Sequence, residues 1–419
     1  MKIGTILRYR WRRGSRMRWT NRGKQYKEIS DHLSKRKKIC LYGNESSREF
    51  FLLNICHPFL RKAVDCYITI DITAEEKDVY PYPIYSDDIL FSQHDVSHII
   101  VVTQMDEYRN KMVERLNRAG YTHGWDYFLY NDSFWGDIYG LNHPFLPLFS
   151  LYAMNKVYTT SGCIVPDTTC NLNCRDCLNF TPYLKKHITY DYDCIRKDAD
   201  LYFKWIDYSE RFQVSGGEPL LYRDFNKVIK YIGENYRNQI GVYETVFNGT
   251  VVPSDETCEL IKKYDMTVYL DNYIDSIKKQ ANQREKIIQK FEKYQIKWID
   301  NTVEEWFSLD IENTDNSWMN ENELTHYFDS CNNPWHAYDG GKLYSCNFAR
   351  FASKAGLYDE SQNDYFNLSK MTDERRGELV EFMLGYTTKG YVDFCKNCSG
   401  WGPSNKNRVP VAVQLENNT

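Results

Sequence analysis

The chain has 419 residues, a formal net charge of −4 and 13 cysteines. That length suits two to four domains rather than one, and 42% hydrophobic with 26% charged residues excludes a wholly disordered chain. No apolar run reaches the roughly 18 residues of a spanning helix; the nearest, Phe145 to Met154, is short and contains a proline.

Residues 1–37 read as a basic arm. Residues 1–38 hold 14 Lys/Arg against 2 Asp/Glu, a net of +12, so the other 381 sum to −16. Arg8, Arg10, Arg12, Arg13, Arg16 and Arg18 alternate with Tyr9, Trp11 and Trp19. Two readings fit: a solvated tail, or an interfacial segment with its aromatics at headgroup level on an anionic membrane. The acidic body does not suit a nucleic-acid binder. No apolar signal core follows the start, so the expected location is the cytoplasm, with the arm able to touch the inner membrane face.

Residues 38–150 predict a small, doubly wound, Rossmann-like α/β domain. Regular structure is expected to start with the short apolar run Lys38 to Asn44, with further strands at Tyr67 to Ile72 and Ser97 to Val102, and helices from Ser46 to Ala63 and Met105 to Ala119. The turn Gly43-Asn44-Glu45 faces a helix start, where a phosphate can bind. It lacks G-x-G-x-x-G, and Glu45 opposes an anion, so a docking role is the alternative.

Residues 155–310 repeat the strand–helix rhythm. Strands are expected at Tyr158–Val165, Phe212–Ser215, Val242–Phe247, Thr267–Leu270 and Ile296–Ile299, with helices at Asp224–Tyr236 and Ser276–Tyr294. So many β/α units point to an α/β partial barrel with its chemistry at the C-terminal strand ends. Asp310–Asn322 reads as a linker, and 325–419 as a cysteine-punctuated extension.

An odd cysteine count without an export signal favours metal or redox ligation over a disulfide scaffold. Cys170, Cys174 and Cys177 lie within eight residues just past the first barrel strand. A zinc site usually wants four ligands in two pairs, whereas three thiolates on a four-iron cluster leave one iron open.

C-x3-C-x2-C in this position resembles the radical S-adenosylmethionine (radical SAM) superfamily. The resemblance implies a partial (β/α)6 TIM-like barrel and a SAM-binding 4Fe-4S cluster. The open iron would chelate the amino and carboxylate groups of SAM, and reductive cleavage would yield a 5′-deoxyadenosyl radical. Ser215-Gly216-Gly217-Glu218-Pro219 resembles the family's GGE segment and implies that Gly216, Gly217 and Glu218 receive the SAM amino group. Phe247-Asn248-Gly249-Thr250 resembles the T-N-G-T turn, with Asn248 a candidate SAM contact. Tyr269-Leu270-Asp271 stands where relatives often have S-x-D. Asp176, before the last cysteine, would touch adenine through its backbone.

Cys331, nine residues, Gly341, four residues, Cys346 and then Cys395-Lys396-Asn397-Cys398 resemble the family's shortened SPASM domain, called twitch. Four thiolates would saturate a second, auxiliary 4Fe-4S cluster; the spacing alone also permits a zinc knot. A hairpin at Asp339–Lys342 would bring Cys331 and Cys346 together. Cys40, Cys56, Cys66, Cys163, Cys194 and Cys258 are expected in the core, with Cys163 and Cys258 candidate catalytic hydrogen donors. His336 is the one histidine to follow.

The twitch resemblance, with the similarity of the N-terminal α/β unit to the Rossmann-like segment of some surface-polysaccharide proteins, implies an oxidoreductase or epimerase acting on a carbinol carbon of a small sugar-like or sugar-nucleotide substrate in such a pathway. Its reducing partner would be a flavodoxin or ferredoxin. The alternatives are a peptide-modifying radical SAM maturase and a non-catalytic iron–sulfur or zinc adaptor.

Overall fold

The computed structural model describes residues 31–54, 58–70, 82–92, 97–104, 107–123, 125–129, 145–278, 280–331, 333, 335–383, 390–402 and 405–416. Residues 1–30 of the basic arm, Cys56, and the expected ends at Asp71, Ile72 and Met105 lie outside them. The chain divides into two compact units, Met1–Tyr158 and Thr159–Thr419. Among the described residues no helix is long and apolar enough to cross a membrane.

The first unit holds strands β1 (Lys38–Tyr42), β2 (Val64–Thr69), β3 (Ile84–Ser86), β4 (His98–Val102) and β5 (Tyr127–Leu129). They form one parallel sheet in the order β3-β2-β1-β4-β5. This is a doubly wound α/β arrangement. Ile39, Cys40, Leu41 and Tyr42 are all buried, as a central parallel strand covered on both faces requires. The helix expected from Ser46 to Ala63 is two helices, Glu45–Asn54 and Pro58–Arg61. Pro58 has no N–H to give a preceding carbonyl and suits the first position of a new helix. Asn44 fills the helix start itself: its Oδ1 accepts from the Ser47 amide at 3.0 Å.

The second unit begins inside β6 (Tyr158–Asp167) and continues with β7 (Tyr208–Gly216), β8 (Ile240–Phe247), β9 (Thr267–Asp271) and β10 (Lys297–Asn301). Helices Tyr192–Trp205, Phe225–Tyr236, Asp255–Lys263 and Gln280–Tyr294 alternate with them. The first and third of these helices are capped by Asp191 and Ser254, which accept from the amides of Cys194 and Thr257. β11 (Glu305–Phe307) pairs antiparallel with β15 (Arg408–Pro410). Between them in sequence lie β12 (Ala337–Asp339), β13 (Lys342–Tyr344) and β14 (Tyr365–Asn367). The main sheet has eight strands in the order β10-β9-β8-β7-β6-β12-β13-β14. Residues 158–301 thus supply five of its strands, and the neighbour on the other side of β6 is β12, parallel to it through Ala337 and Tyr338.

Side chains sort by the two-residue strand period. Phe212 packs on Tyr202 and Phe203, Phe247 on Phe225 and Phe291, and the Tyr243 hydroxyl donates to the Ile229 carbonyl. That is the helix-covered face. Cys163, Arg211, Gln213, Glu244 and Tyr269 occupy the other. The hairpin β12–β13 turns through Gly340 and Gly341 with φ of 56° and 82°, the left-handed pair that such a two-residue turn needs.

The Asp310–Asn322 stretch, read from sequence as a linker, is packed. Ile311 is buried, and the Asn316 amide nitrogen donates to the carbonyls of Cys395 (2.9 Å) and Cys398 (3.0 Å). Ile311 and Asn316 anchor the stretch, while Glu312, Asn313, Asp315, Ser317 and Trp318 stay exposed. Cys194, expected in the core, is exposed, whereas Cys40, Cys66, Cys163 and Cys258 are buried.

Candidate functional site

The C-terminal ends of β6, β7, β8 and β9 build one site. β6 ends at Asp167, and the three-cysteine loop follows. Gly217 N–H donates to the Asp167 carbonyl at 3.0 Å and Glu218 N–H to the Thr169 carbonyl at 2.8 Å. These bonds lock the β7 end to the approach to Cys170. A Cβ on Gly216 would sit 2.4 Å from the Asp167 oxygen, and one on Gly217 would sit 2.3 Å from that of Thr169. Glycine is therefore required by close backbone approach. Asn179 adds a donor to the Gly216 carbonyl at 2.6 Å.

Glu218 is 1% exposed. Its carboxylate accepts from Asn248 N–H (2.7 Å) and Leu220 N–H (3.1 Å). Burial nonetheless pushes its carboxyl up to about 8 against those donors. The Asn248 side chain donates to Asn171 at 2.9 Å and reaches the Cys170 sulfur at 3.7 Å, while its Oδ1 accepts from Thr250. Gln280, fully buried, ties the strand ends together by donating to the carbonyls of Asn248 (2.6 Å) and Asp271 (3.0 Å). Asp271 accepts from Tyr273 and Asn301, each at 2.6 Å, and burial raises its carboxyl to about 6. Asp176 accepts from Arg175 Nε at 3.2 Å.

Two thiols of the loop accept N–H donors, whereas the Cys177 thiol donates toward Thr181 Oγ1 at 3.9 Å. Leu172 N–H points at the Cys170 sulfur (3.4 Å) and Gln414 Nε2 at the Cys174 sulfur (3.1 Å). Burial pushes both thiols up to about 12, and the Cys177 thiol adds to each shift. The Cys170 and Cys174 thiols, raised by burial yet each met by an N–H donor suited to a thiolate, fit a positively charged centre that expels their protons on binding.

A second thiol set lies in the same unit. Cys331 ends helix Glu321–Ser330, Cys346 starts helix Asn347–Lys354, and Cys395 and Cys398 flank the turn after Asp393. Burial raises Cys346 to about 12, and neighbouring Cys331 adds to this. Burial raises Cys395 and Cys398 well above the ordinary thiol value, with Cys331, Cys346 and Cys398 adding to the first and Cys346 and Cys331 to the second. Asn333 Nδ2 and Gly400 N–H donate to the Cys346 and Cys398 sulfurs at 3.2 and 3.3 Å. Among the described residues no three His, Cys, Asp or Glu side chains converge on one ion-sized point. A single tetrahedral zinc needs sulfurs within ~4 Å of one another.

The two candidate hydrogen donors are separated. Cys163 sits on the polar face of β6, 3.9 Å from Gln213 Oε1, and burial raises it to about 12. Cys258 lies in the helix layer on Asp255–Lys263, raised by burial to about 11. His336 is buried, with Nδ1 3.1 Å from Thr159 Oγ1. On the polar face Arg211 forms a two-pronged ion pair with buried Glu244, donates to the Tyr269 hydroxyl at 3.0 Å and lies over the Trp335 ring at 4.7 Å. Sequence reading passed over Arg211, Glu244, Asn179, Gln280 and Gln414. The alternation of Arg211 and Gln213 with Phe212 and Val214 was the available signal for Arg211; the others are brought in by long-range folding.

No family model matches this sequence, and no curated protein does. Parts of the chain are similar to solved structures. Native anSMEcpe with bound AdoMet and a peptide shares 20% identity over 33% of this chain and 41% of that one, with a TM-score of 0.27. Streptococcus suis SuiB bound to S-adenosylmethionine shares 18% over 36% of each chain, with a TM-score of 0.29. BtrN in complex with AdoMet and 2-DOIA shares 14% over 62% of this chain and 96% of its own, with a TM-score of 0.35. The chain thus spans about two-fifths of the first two. These are partial overlaps, and the geometry of the site itself carries the functional reading.

Proposed function

We propose that the chain is a radical SAM enzyme acting on a small polar, sugar-like substrate, by oxidation or epimerisation at a carbinol carbon. One observation carries this reading. The Cys170–Cys177 loop and the Gly216-Gly217-Glu218 strand end are bonded together, so that three thiols and a buried carboxyl share one end of the sheet. The donor set fits: Cys170, Cys174 and Cys177 would hold a four-iron cluster with one open iron, and Glu218 would receive the SAM ammonium group. When bound, that pair supplies reductive cleavage of the sulfonium bond and hydrogen-atom abstraction from an unactivated carbon.

The chain's own residues do the rest. Gly216 and Gly217 let the β7 end close on the backbone oxygens of Asp167 and Thr169, Asn248 and Gln280 fix the strand ends, and Asp176 stands beside the last cysteine. Cys331, Cys346, Cys395 and Cys398 would hold an auxiliary four-iron cluster, saturated by thiolate and suited to electron transfer. The polar set Arg211, Gln213, Glu244 and Tyr269 on the inner face supports a hydrogen-bonding small molecule as substrate. The parallel sheet of the first unit favours this over a peptide maturase with a small winged-helix module. Cys163, kept as a neutral thiol beside Gln213, is the better placed of the two hydrogen-donor candidates. A flavodoxin or ferredoxin is the expected reductant, and the arm at 1–37 the expected membrane contact.

The test is anaerobic reconstitution, reduction and addition of SAM. The reading predicts 5′-deoxyadenosine, made at a slow uncoupled rate without substrate. An intact cluster that yields none would leave only the adaptor reading.

A further inference from the structure

The three-cysteine loop is closed by a segment 240 residues away in sequence. Cys174 and Gln414 form an antiparallel bridge. Arg175 N–H donates to the Val413 carbonyl at 2.8 Å and Leu415 N–H to the Asn173 carbonyl at 2.7 Å. Ser276 holds the far side by donating to the Val411 carbonyl. Val411 and Ala412 pack on Cys174, Leu172, Cys177 and Tyr273. Ala412 is fully buried with φ of 54°. That left-handed region is costly for a residue with a Cβ.

The Gln414 amide has one possible orientation. Its Oε1 accepts from Asn173 N–H at 2.7 Å, and its Nε2 donates to the Ala412 carbonyl at 2.8 Å. One N–H remains, and it points at the Cys174 sulfur, 3.1 Å away. Backbone partners on both sides therefore forbid a flip and aim a fixed donor at this one thiol. A neutral thiol is a poor acceptor, so the arrangement suits a sulfur carrying negative charge.

We propose that Val411–Leu415 is a strap over the three-cysteine loop and that Gln414 is a positioning residue, whose N–H···S bond sets the reduction potential of the centre the loop carries. This rests on the iron–sulfur reading of that loop. A donor on a ligating sulfur favours the more negative, reduced state of a cluster and raises its potential.

The test is a redox titration of the full-length reconstituted protein, followed by electron paramagnetic resonance, with the loop centre identified as the signal that SAM perturbs. Gln414→Leu removes the donor. Gln414→Glu keeps an oxygen for Asn173 N–H but also lacks the donor. Both are expected to lower the midpoint of the loop centre and leave the auxiliary centre unmoved. Ser276→Ala, which frees the strap but keeps the donor, should leave the midpoint in place. An unchanged midpoint in both Gln414 variants overturns the inference, as does an equal shift in Ser276→Ala, which would assign the effect to solvent access. Those results leave the function itself standing. Iron content in the wild type no higher than in Cys174→Ala would remove both.

Discussion

The buried carboxyl of Glu218 makes folding stability depend on pH in a way that one substitution should reverse. Its folded value, about 8, lies well above the ordinary 4.5. A carboxyl raised by burial favours folding while it stays protonated. That advantage is complete below about 4.5 and is lost as pH rises to about 8, because the unfolded chain releases the proton first. At about 1.4 kcal/mol per pH unit, the fully buried, unscreened group should weaken the cluster-free protein by about 4 kcal/mol between pH 5 and pH 8.5. Glu218→Gln removes the titration but turns an amide toward two N–H donors, those of Asn248 and Leu220. It should cost about 1–3 kcal/mol in acid, where the wild-type carboxyl is neutral. The variant is thus expected to be less stable than wild type at pH 5 and more stable at pH 8.5. Urea unfolding of the reduced, cluster-free protein at the two pH values measures both gaps. Asp271, raised to about 6, titrates in both proteins, and its charge adds to the upward shift of Glu218. A gap of the same sign and size at both pH values would refute the argument. The same burial suits Glu218 to its proposed role, since a cation placed against it drives off the proton and gains an unscreened partner.

Three further outcomes follow from particular contacts. Gly217→Ala should destabilise the second unit by about 2–3 kcal/mol, because the added Cβ meets backbone oxygens of Thr168 and Thr169 at 2.5 and 2.3 Å; a melting curve and the loss of SAM binding check it. Asn316→Ala should cost about 2 kcal/mol, roughly 4–6 °C in melting temperature, by stripping the donor from the buried carbonyls of Cys395 and Cys398. Cys398→Ala should keep some SAM cleavage yet stop substrate turnover, read by product analysis; full turnover would exclude an essential electron path through the auxiliary thiols.

The strand ends were legible because their function leaves local marks. Close backbone approach requires glycine at 216 and 217, the three cysteines share one loop, and Gly340-Gly341 announces a tight turn. The helix Tyr192–Trp205 was not anticipated, although its buried Ile195, Ala199, Tyr202 and Phe203 keep the i, i+4, i+7, i+8 spacing of one helix face. Asn316 looked like linker because a polar side chain that satisfies buried carbonyls is indistinguishable in sequence from one that meets water. Gln414 carries no local signal at all, since its partner is set by an isolated bridge to Cys174. The stop at Pro58 was visible, but the amphipathic run on either side of it hid the break.

The central claim is an open iron at the Cys170–Cys177 loop that takes SAM. Electron paramagnetic resonance of the anaerobically reconstituted, dithionite-reduced protein, with about eight irons per chain, tests it directly. The account predicts that SAM reshapes the signal of one centre and that Cys174→Ala abolishes this change while the other centre persists. A spectrum untouched by SAM, with both centres loaded, would contradict it.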